Sequence, residues 1–219
     1  MLSHADLAVL AGRAYSGPQS LDVDGDARAD FLPRGHELVV VCPGTHPDDP
    51  LDWIRDLDAF PRWFAKIGLL HGGFGSGGAA LWAKVRRELP VDKRIVYAGH
   101  SLGGALAQVL AACHAADGRP PCRIVTFGAP RVGFLNPWFA HLVRRGPGSV
   151  EYARGGDIVP DAPSRPPFNH PTRRRAIGDA VPGTPEALSD FFDIAKIGRA
   201  ICGNHSIQRY AADLAAAGL

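Results

Sequence analysis

Short apolar runs alternate with stretches of helical periodicity along most of this chain. Residues 37–42 (ELVVVC), 94–98 (RIVYA), 123–127 (RIVTF) and 150–153 (VEYA) predict strands. Two of these runs are nearly continuous in apolar residues, the pattern of strands buried on both faces. Helical spacing predicts helices over residues 3–15, 51–65, 79–89, 103–116, 136–145, 185–197 and 206–217. Thr184-Pro185-Glu186 supplies a capping threonine and a proline at a first helical position. Strands alternating with helices predict an α/β fold, with a mainly parallel central sheet flanked by helices. No internal repeat or long linker divides the chain, so residues 1–219 are expected to form a single domain. The Pro- and Arg-rich segment 159–175 reads as the most loop-like stretch.

Composition narrows the partners without naming a function. The 219 residues suit one domain with a large core. Apolar residues make up 46% and charged residues 21%, with a net charge of +2, so no strong field points to nucleic acid or an anionic membrane. The opening MLSHADLAVLAGRAYSG lacks a basic segment and a long apolar run, and reads as an amphipathic helix rather than a signal peptide. Nothing approaches the ~18 apolar residues of a transmembrane span. The chain as given is therefore expected in the cytoplasm, and secreted only if a leader was removed. Cys42, Cys113, Cys122 and Cys202 lack metal-binding spacing and read as structural thiols, one disulfide being the alternative. In Asp22-Val-Asp24-Gly-Asp26 the glycine comes too early for a calcium loop, and Arg173-Arg174-Arg175 reads as a solvated edge strand or loop. No metal or organic cofactor is implied.

The glycine-rich run from His71 to Trp82, HGGFGSGGAALW, admits three readings. It formally matches a dinucleotide fingerprint, its first residues resemble an oxyanion loop, and a tight strand-to-helix turn would also use such glycines. The dinucleotide reading needs an acid at the end of the next strand. That strand instead runs into Gly99-His100-Ser101-Leu102-Gly103.

This pentapeptide is G-x-S-x-G between an apolar strand and an Ala-rich helix, the context in which the motif holds a nucleophile. The serine must turn sharply for its Oγ to stand clear of the backbone. Side chains two residues away on either side would collide, hence the paired glycines. The helix start also offers N–H groups to a developing oxyanion, the one after the nucleophile belonging to Leu102. A serine nucleophile needs a base, and a carboxylate to hold that base in one tautomer. The late histidines are His170 and His205. His205, in Gly203-Asn204-His205-Ser206, can present its ring from the edge of the final helix, whereas His170 is confined by Pro171. Asp157 lies just past the C-terminal end of a strand, where the chemistry of open α/β sheets concentrates. Asp161, one turn further on, is the alternative.

Gly99-His-Ser-Leu-Gly-Gly-Ala105 resembles the elbow of the class 3 (fungal-type) lipases, a branch of the α/β-hydrolases. Leu38-Val-Val-Val-Cys-Pro-Gly-Thr45, followed by Asp52-Trp53-Ile-Arg-Asp56-Leu57, resembles that family's strand, oxyanion turn and lid. His71-Gly-Gly-Phe74 resembles its His-x-Gly-Phe turn, and Val125-Thr-Phe-Gly-Ala-Pro-Arg-Val-Gly133 the strand and loop after the elbow helix. Gly156-Asp157-Ile-Val-Pro160 resembles the acid segment, and Asn204-His205-Ser-Ile-Gln-Arg-Tyr210 the terminal histidine segment. The resemblance runs from about residue 37 to the end, apart from residues 178–202.

The resemblance implies an α/β-hydrolase fold and a serine carboxylic ester hydrolase that cleaves acyl esters of lipids through an acyl-enzyme. Ser101, Asp157 and His205 would form its triad. Thr45 would supply the second oxyanion donor beside Leu102, which leaves the glycine run as a turn and flexible start to a helix. A lid over residues 46–62 would turn Trp53, Ile54 and Leu57 toward the substrate. The expected partner is an ester or lipid substrate, with transient contact at a lipid interface, no nucleic acid and no transmembrane segment. Alternatives are an esterase for small or aromatic acyl groups, a phospholipase A1, or a catalytically silent member that binds lipid or protein.

Overall fold

The computed structural model describes residues 1–17, 20–23, 27–44, 60–163, 167–178 and 203–219. The chain opens with α1 (His4–Arg13), followed by β1 (Leu21–Asp22), β2 (Arg28–Arg34) and β3 (Glu37–Cys42). Next come β4 (Pro61–Phe64), β5 (Gly68–His71), α2 (Gly72–Glu88), β6 (Arg94–His100) and α3 (Leu102–Ala116). β7 (Arg123–Phe127), β8 (Gly133–Phe134), α4 (Pro137–Arg144) and β9 (Val150–Arg154) follow. A 3-10 turn (Val159–Asp161), β10 (Phe168–Asn169), β11 (Arg174–Ile177) and α5 (Ile207–Ala216) complete the described elements.

One seven-stranded sheet has the order β1-β2-β3-β6-β7-β9-β11. From β3 to β11 its strands are parallel, and β1 and β2 add an antiparallel pair at one edge. Strand periodicity sends alternate side chains into two cores. In β3, Leu38, Val40 and Cys42 enter the core shared with α2, α3 and α4, while Val39 and Val41 enter the one shared with α1 and α5. β6 repeats the division, with Ile95 and Tyr97 on one side and Val96 and Ala98 on the other. Each Val or Leu buried in this way contributes on the order of 1.5–3 kcal/mol. The expected α/β architecture, with helices on both faces of a mainly parallel sheet, is the one found.

Local chemistry sets the helix starts. Ser3 and Asp6 form a reciprocal capping box at α1, with both hydrogen bonds at 3.0 Å. Asn136 caps α4 by accepting from the Phe139 amide at 2.9 Å, with Pro137 at the first helical position.

Several elements differ from the sequence expectation. The described part of the helix expected over 51–65 is a strand, β4, antiparallel to β5. Pro61 and two aromatic residues suit an edge strand better than a helix interior. β4 and β5 belong to a second sheet, β10-β8-β5-β4, that the apolar pattern did not announce. Segment 159–175, read as loop, contains the 3-10 turn, β10 and the start of β11. The glycine run is neither a turn nor a flexible lead-in, since α2 begins at Gly72 and carries the glycines inside it. A Cβ on Gly75 would overlap the Phe64 ring of β4, and one on Gly78 would come within 2.5 Å of Val109 on α3. These glycines let the α2 backbone lie directly on its neighbours, at a cost of about 0.5–1 kcal/mol each in helix propensity. The helix expected over 185–197 lies outside the described residues.

Cys42, Cys113 and Cys122 are free thiols, and Cys202 lies outside the described residues. Among the described residues no helix is long and apolar enough to cross a membrane.

Candidate active site

Ser101 joins β6 to α3 with φ 57° and ψ −130°, a region that non-glycine residues seldom enter and that costs about 1–3 kcal/mol. Its own backbone pins it there. The Ser101 amide donates to the Phe127 carbonyl at 3.0 Å, and the Ser101 carbonyl accepts from the Gly104 amide at 2.9 Å. The flanking glycines are required by space: a Cβ on Gly103 would overlap the Cys42 carbonyl, and one on Gly99 the Gly103 carbonyl. Leu102 is the first residue of α3, so its N–H is one of those without an intrahelical acceptor.

Asp157 follows β9 and is 5% exposed. Its Oδ2 accepts from His205 Nδ1 at 2.9 Å and from the Tyr210 hydroxyl at 2.6 Å, while Oδ1 accepts from the Val159 amide at 3.0 Å. Because a carboxylate can only accept, Nδ1 of His205 holds the ring proton and Nε2 carries the lone pair. That Nε2 is buried and makes no hydrogen bond. Burial first, and then the neighbouring Asp157 charge, holds the Tyr210 pKa well above the ordinary phenol value, so Tyr210 stays a donor.

Gly128, immediately after β7, has φ +58°. A Cβ there would lie 2.9 Å from His205 Cε1 and 3.0 Å from Asp157 Oδ2. Only glycine meets both the conformation and the clearance.

The elbow and the His–Asp pair meet through His100. Its ring centroid is 4.4 Å from that of His205, and its Nδ1 is 2.7 Å from the Tyr15 hydroxyl. Burial, and secondarily His205, lowers the His100 pKa well below the usual histidine value, so this ring is neutral. Tyr15, its own pKa raised by burial, also takes a hydrogen bond from the Gly44 backbone. A Cβ on Gly44 would stand 3.1 Å from Ser101 Cβ, so the loop after β3 passes against the serine. Arg28 Nη2 holds the Gly44 carbonyl at 3.1 Å.

Ser101 and Asp157 thus follow the C-terminal ends of the parallel strands β6 and β9, and His205 bonds Asp157. Thr45 and the lid residues Trp53, Ile54 and Leu57 lie outside the described residues. The alternatives are engaged elsewhere: His170 Nε2 bonds the Pro160 carbonyl at 2.7 Å, and Asp161 pairs with Arg131 and Arg174, each at 2.8 Å. Sequence reading assigned no role to Tyr210, Tyr15 or Gly128. Tyr210 follows His205 on the same short segment and Gly128 closes a recognised strand, so both had a local signal. Tyr15 meets His100 across 85 positions and had none.

A family model described as "Lipase (class 3)" matches residues 39–166, more than half of the chain. A secreted mono- and diacylglycerol lipase of Fusarium solani is 37% identical over 102 residues, covering 43% of this chain and 29% of the relative. A lipase of Caenorhabditis elegans is 36% identical over 109 residues, covering 46% of this chain and 30% of the relative. The chain thus matches less than a third of the length of either curated relative. The triacylglyceride lipase structure from Rhizomucor miehei superposes with a TM-score of 0.68 over 91% of this chain and 95% of that one, at 19% identity, a likeness of fold.

Proposed function

The chain belongs to the class 3 lipase family, and from that premise we propose that it hydrolyses acyl esters of lipids, with Ser101 as nucleophile, His205 as base and Asp157 as the group that orients His205. One observation carries this reading: a serine held at φ 57° on a helix start, next in the chain to a histidine whose ring packs on the buried His205–Asp157 pair. Residues 1–219 are taken as one α/β-hydrolase domain. The two relatives are named as lipases, one a mono- and diacylglycerol lipase, which favours lipid acyl esters as the substrate class.

In this mechanism Ser101 Oγ attacks the ester carbonyl carbon while its proton passes to His205 Nε2. Asp157 stabilises the imidazolium that results, and hydrogen bonds from Tyr210 and the Val159 amide hold the carboxylate in orientation. The carbonyl π electrons move to the oxygen, which the Leu102 N–H receives, together with a donor at Thr45. Collapse expels the alcohol, which takes the proton from His205. Water then attacks the acyl-enzyme, giving its proton to His205, and the carboxylic acid leaves as Ser101 is reprotonated.

Hydrolysis of p-nitrophenyl esters of increasing chain length, with emulsified triacylglycerol alongside, tests the substrate class. Turnover of long-chain and emulsified esters, absent in Ser101→Ala, supports the lipid reading. Turnover confined to acetate and butyrate esters replaces it with a small-ester esterase, and no turnover of any ester replaces it with a silent binding member.

A further inference from the structure

The parallel strands end toward Ser101 and begin, at the other edge of the sheet, at a cavity of about 470 Å³. Arg94 and Arg123 are the first residues of β6 and β7, and both line it. Arg173 and Arg175 line it as well, with His4 of α1. Strand alternation selects these two from the three consecutive arginines. Arg174, between them, sends its Nη1 to Asp161 at 2.8 Å and does not line the cavity.

The charge in this cavity is only partly compensated, by the Arg123–Glu37 ion pair. Among the described residues, no aspartate or glutamate lines it. Arg123 has a side chain only 7% exposed; its Nη2 donates to the Leu2 carbonyl at 2.8 Å and stands 3.9 Å from Glu37, too far for a hydrogen bond. Its Nε is buried and has no partner. A buried charged donor left without an acceptor is costlier than a neutral one. A ligand acceptor would remove that cost. Burial first, and then the Arg123 and Arg175 charges, lowers the His4 pKa. His4 Nδ1 lies 2.7 Å from the Tyr152 hydroxyl on one wall of the cavity.

We infer that this cavity binds a phosphate-bearing anion, at the end of the sheet opposite the proposed ester-cleaving site. Guanidinium forks match phosphate oxygens in bidentate geometry, and several converging cations favour a multiply charged anion over a single carboxylate. A free phosphate compound and a phospholipid headgroup share this chemistry. The inference does not depend on the chain being an esterase.

Calorimetric titration of the full chain with inorganic pyrophosphate at near-physiological salt is the test. Saturable binding is expected, weakened by about tenfold or more in Arg173→Gln/Arg175→Gln and unchanged in Arg174→Gln, which removes the same kind of charge from outside the cavity. In a second arm, phosphatidylcholine vesicles with and without phosphatidic acid are sedimented with the same proteins. Capture that requires both phosphatidic acid and Arg173/Arg175 assigns the site to a lipid headgroup; pyrophosphate binding without capture assigns it to a free ligand. No saturable binding in either arm, or an equal loss in Arg174→Gln, overturns the inference.

Discussion

The Tyr210 hydroxyl stands 2.6 Å from Asp157 Oδ2, the same oxygen that receives His205 Nδ1 at 2.9 Å. A residue on the last helix therefore fixes the rotation of the carboxylate that orients the candidate base. The same hydroxyl accepts the Arg154 amide at 3.0 Å, tying α5 to β9. Tyr210→Phe keeps the packing and removes only these bonds. It should lower stability by about 1.5–3 kcal/mol, the range for a hydrogen bond to a charged group, and reduce kcat more than it raises KM. Urea unfolding and steady-state kinetics check both, and an unchanged unfolding midpoint would refute the link.

Tyr15 joins His100, one residue before the serine, to Gly44 on the loop beside it. Tyr15→Phe strands His100 Nδ1 and the Gly44 amide without a partner. Turnover of a soluble ester should fall about tenfold or more with KM little changed, because a misplaced oxyanion loop weakens the transition state rather than the ground state. A change confined to KM would place Tyr15 in substrate binding instead.

The two late histidines make opposite predictions. His205→Ala removes the proposed base and should reduce ester hydrolysis by at least ~10³-fold while the protein remains folded by circular dichroism. His170, bonded to the Pro160 carbonyl, sits outside this machinery, and His170→Asn should retain most of the activity. The reverse pattern would exchange their roles.

Buried rings give the stability a pH dependence of definite sign. His4, His100 and His114 all have lowered pKa values, first through burial, and His114 falls to about 4 from 6.5. Between those values the unfolded chain binds protons that the folded chain refuses, so stability rises with pH. This contribution is complete above about pH 6.5 and is lost as the pH falls toward 4. The thermal midpoint should drop across that window, and His114→Gln should flatten the drop. Parallel curves for the two proteins would contradict the assignment of this slope to His114.

What could be read from sequence follows from burial. β3 and β7 were legible to the residue because both faces of each are covered, so every position is buried and the runs are mostly apolar, with Thr126 the one polar residue inside β7. β2, with the sequence RADFLPR, pairs antiparallel near the sheet edge and mixes exposed charges with buried positions, so it did not stand out. The glycine run announced itself but not its purpose: only the positions of Phe64 and Val109 reveal that it brings backbones together. Ser101 stood out through local strand, turn and helix chemistry, and the candidates Asp157 and His205, 48 positions apart, meet in a hydrogen bond. The Tyr15–His100 contact depends on how α1 docks, which no local pattern encodes.

Every other proposed role depends on Ser101 being a nucleophile served by His205. The most direct measurement is labelling of the full chain with a fluorophosphonate probe, followed by peptide mapping. A single adduct is expected, on Ser101, that disappears in Ser101→Ala and forms far more slowly in His205→Ala. An adduct on another residue, or undiminished ester hydrolysis by Ser101→Ala, would contradict it.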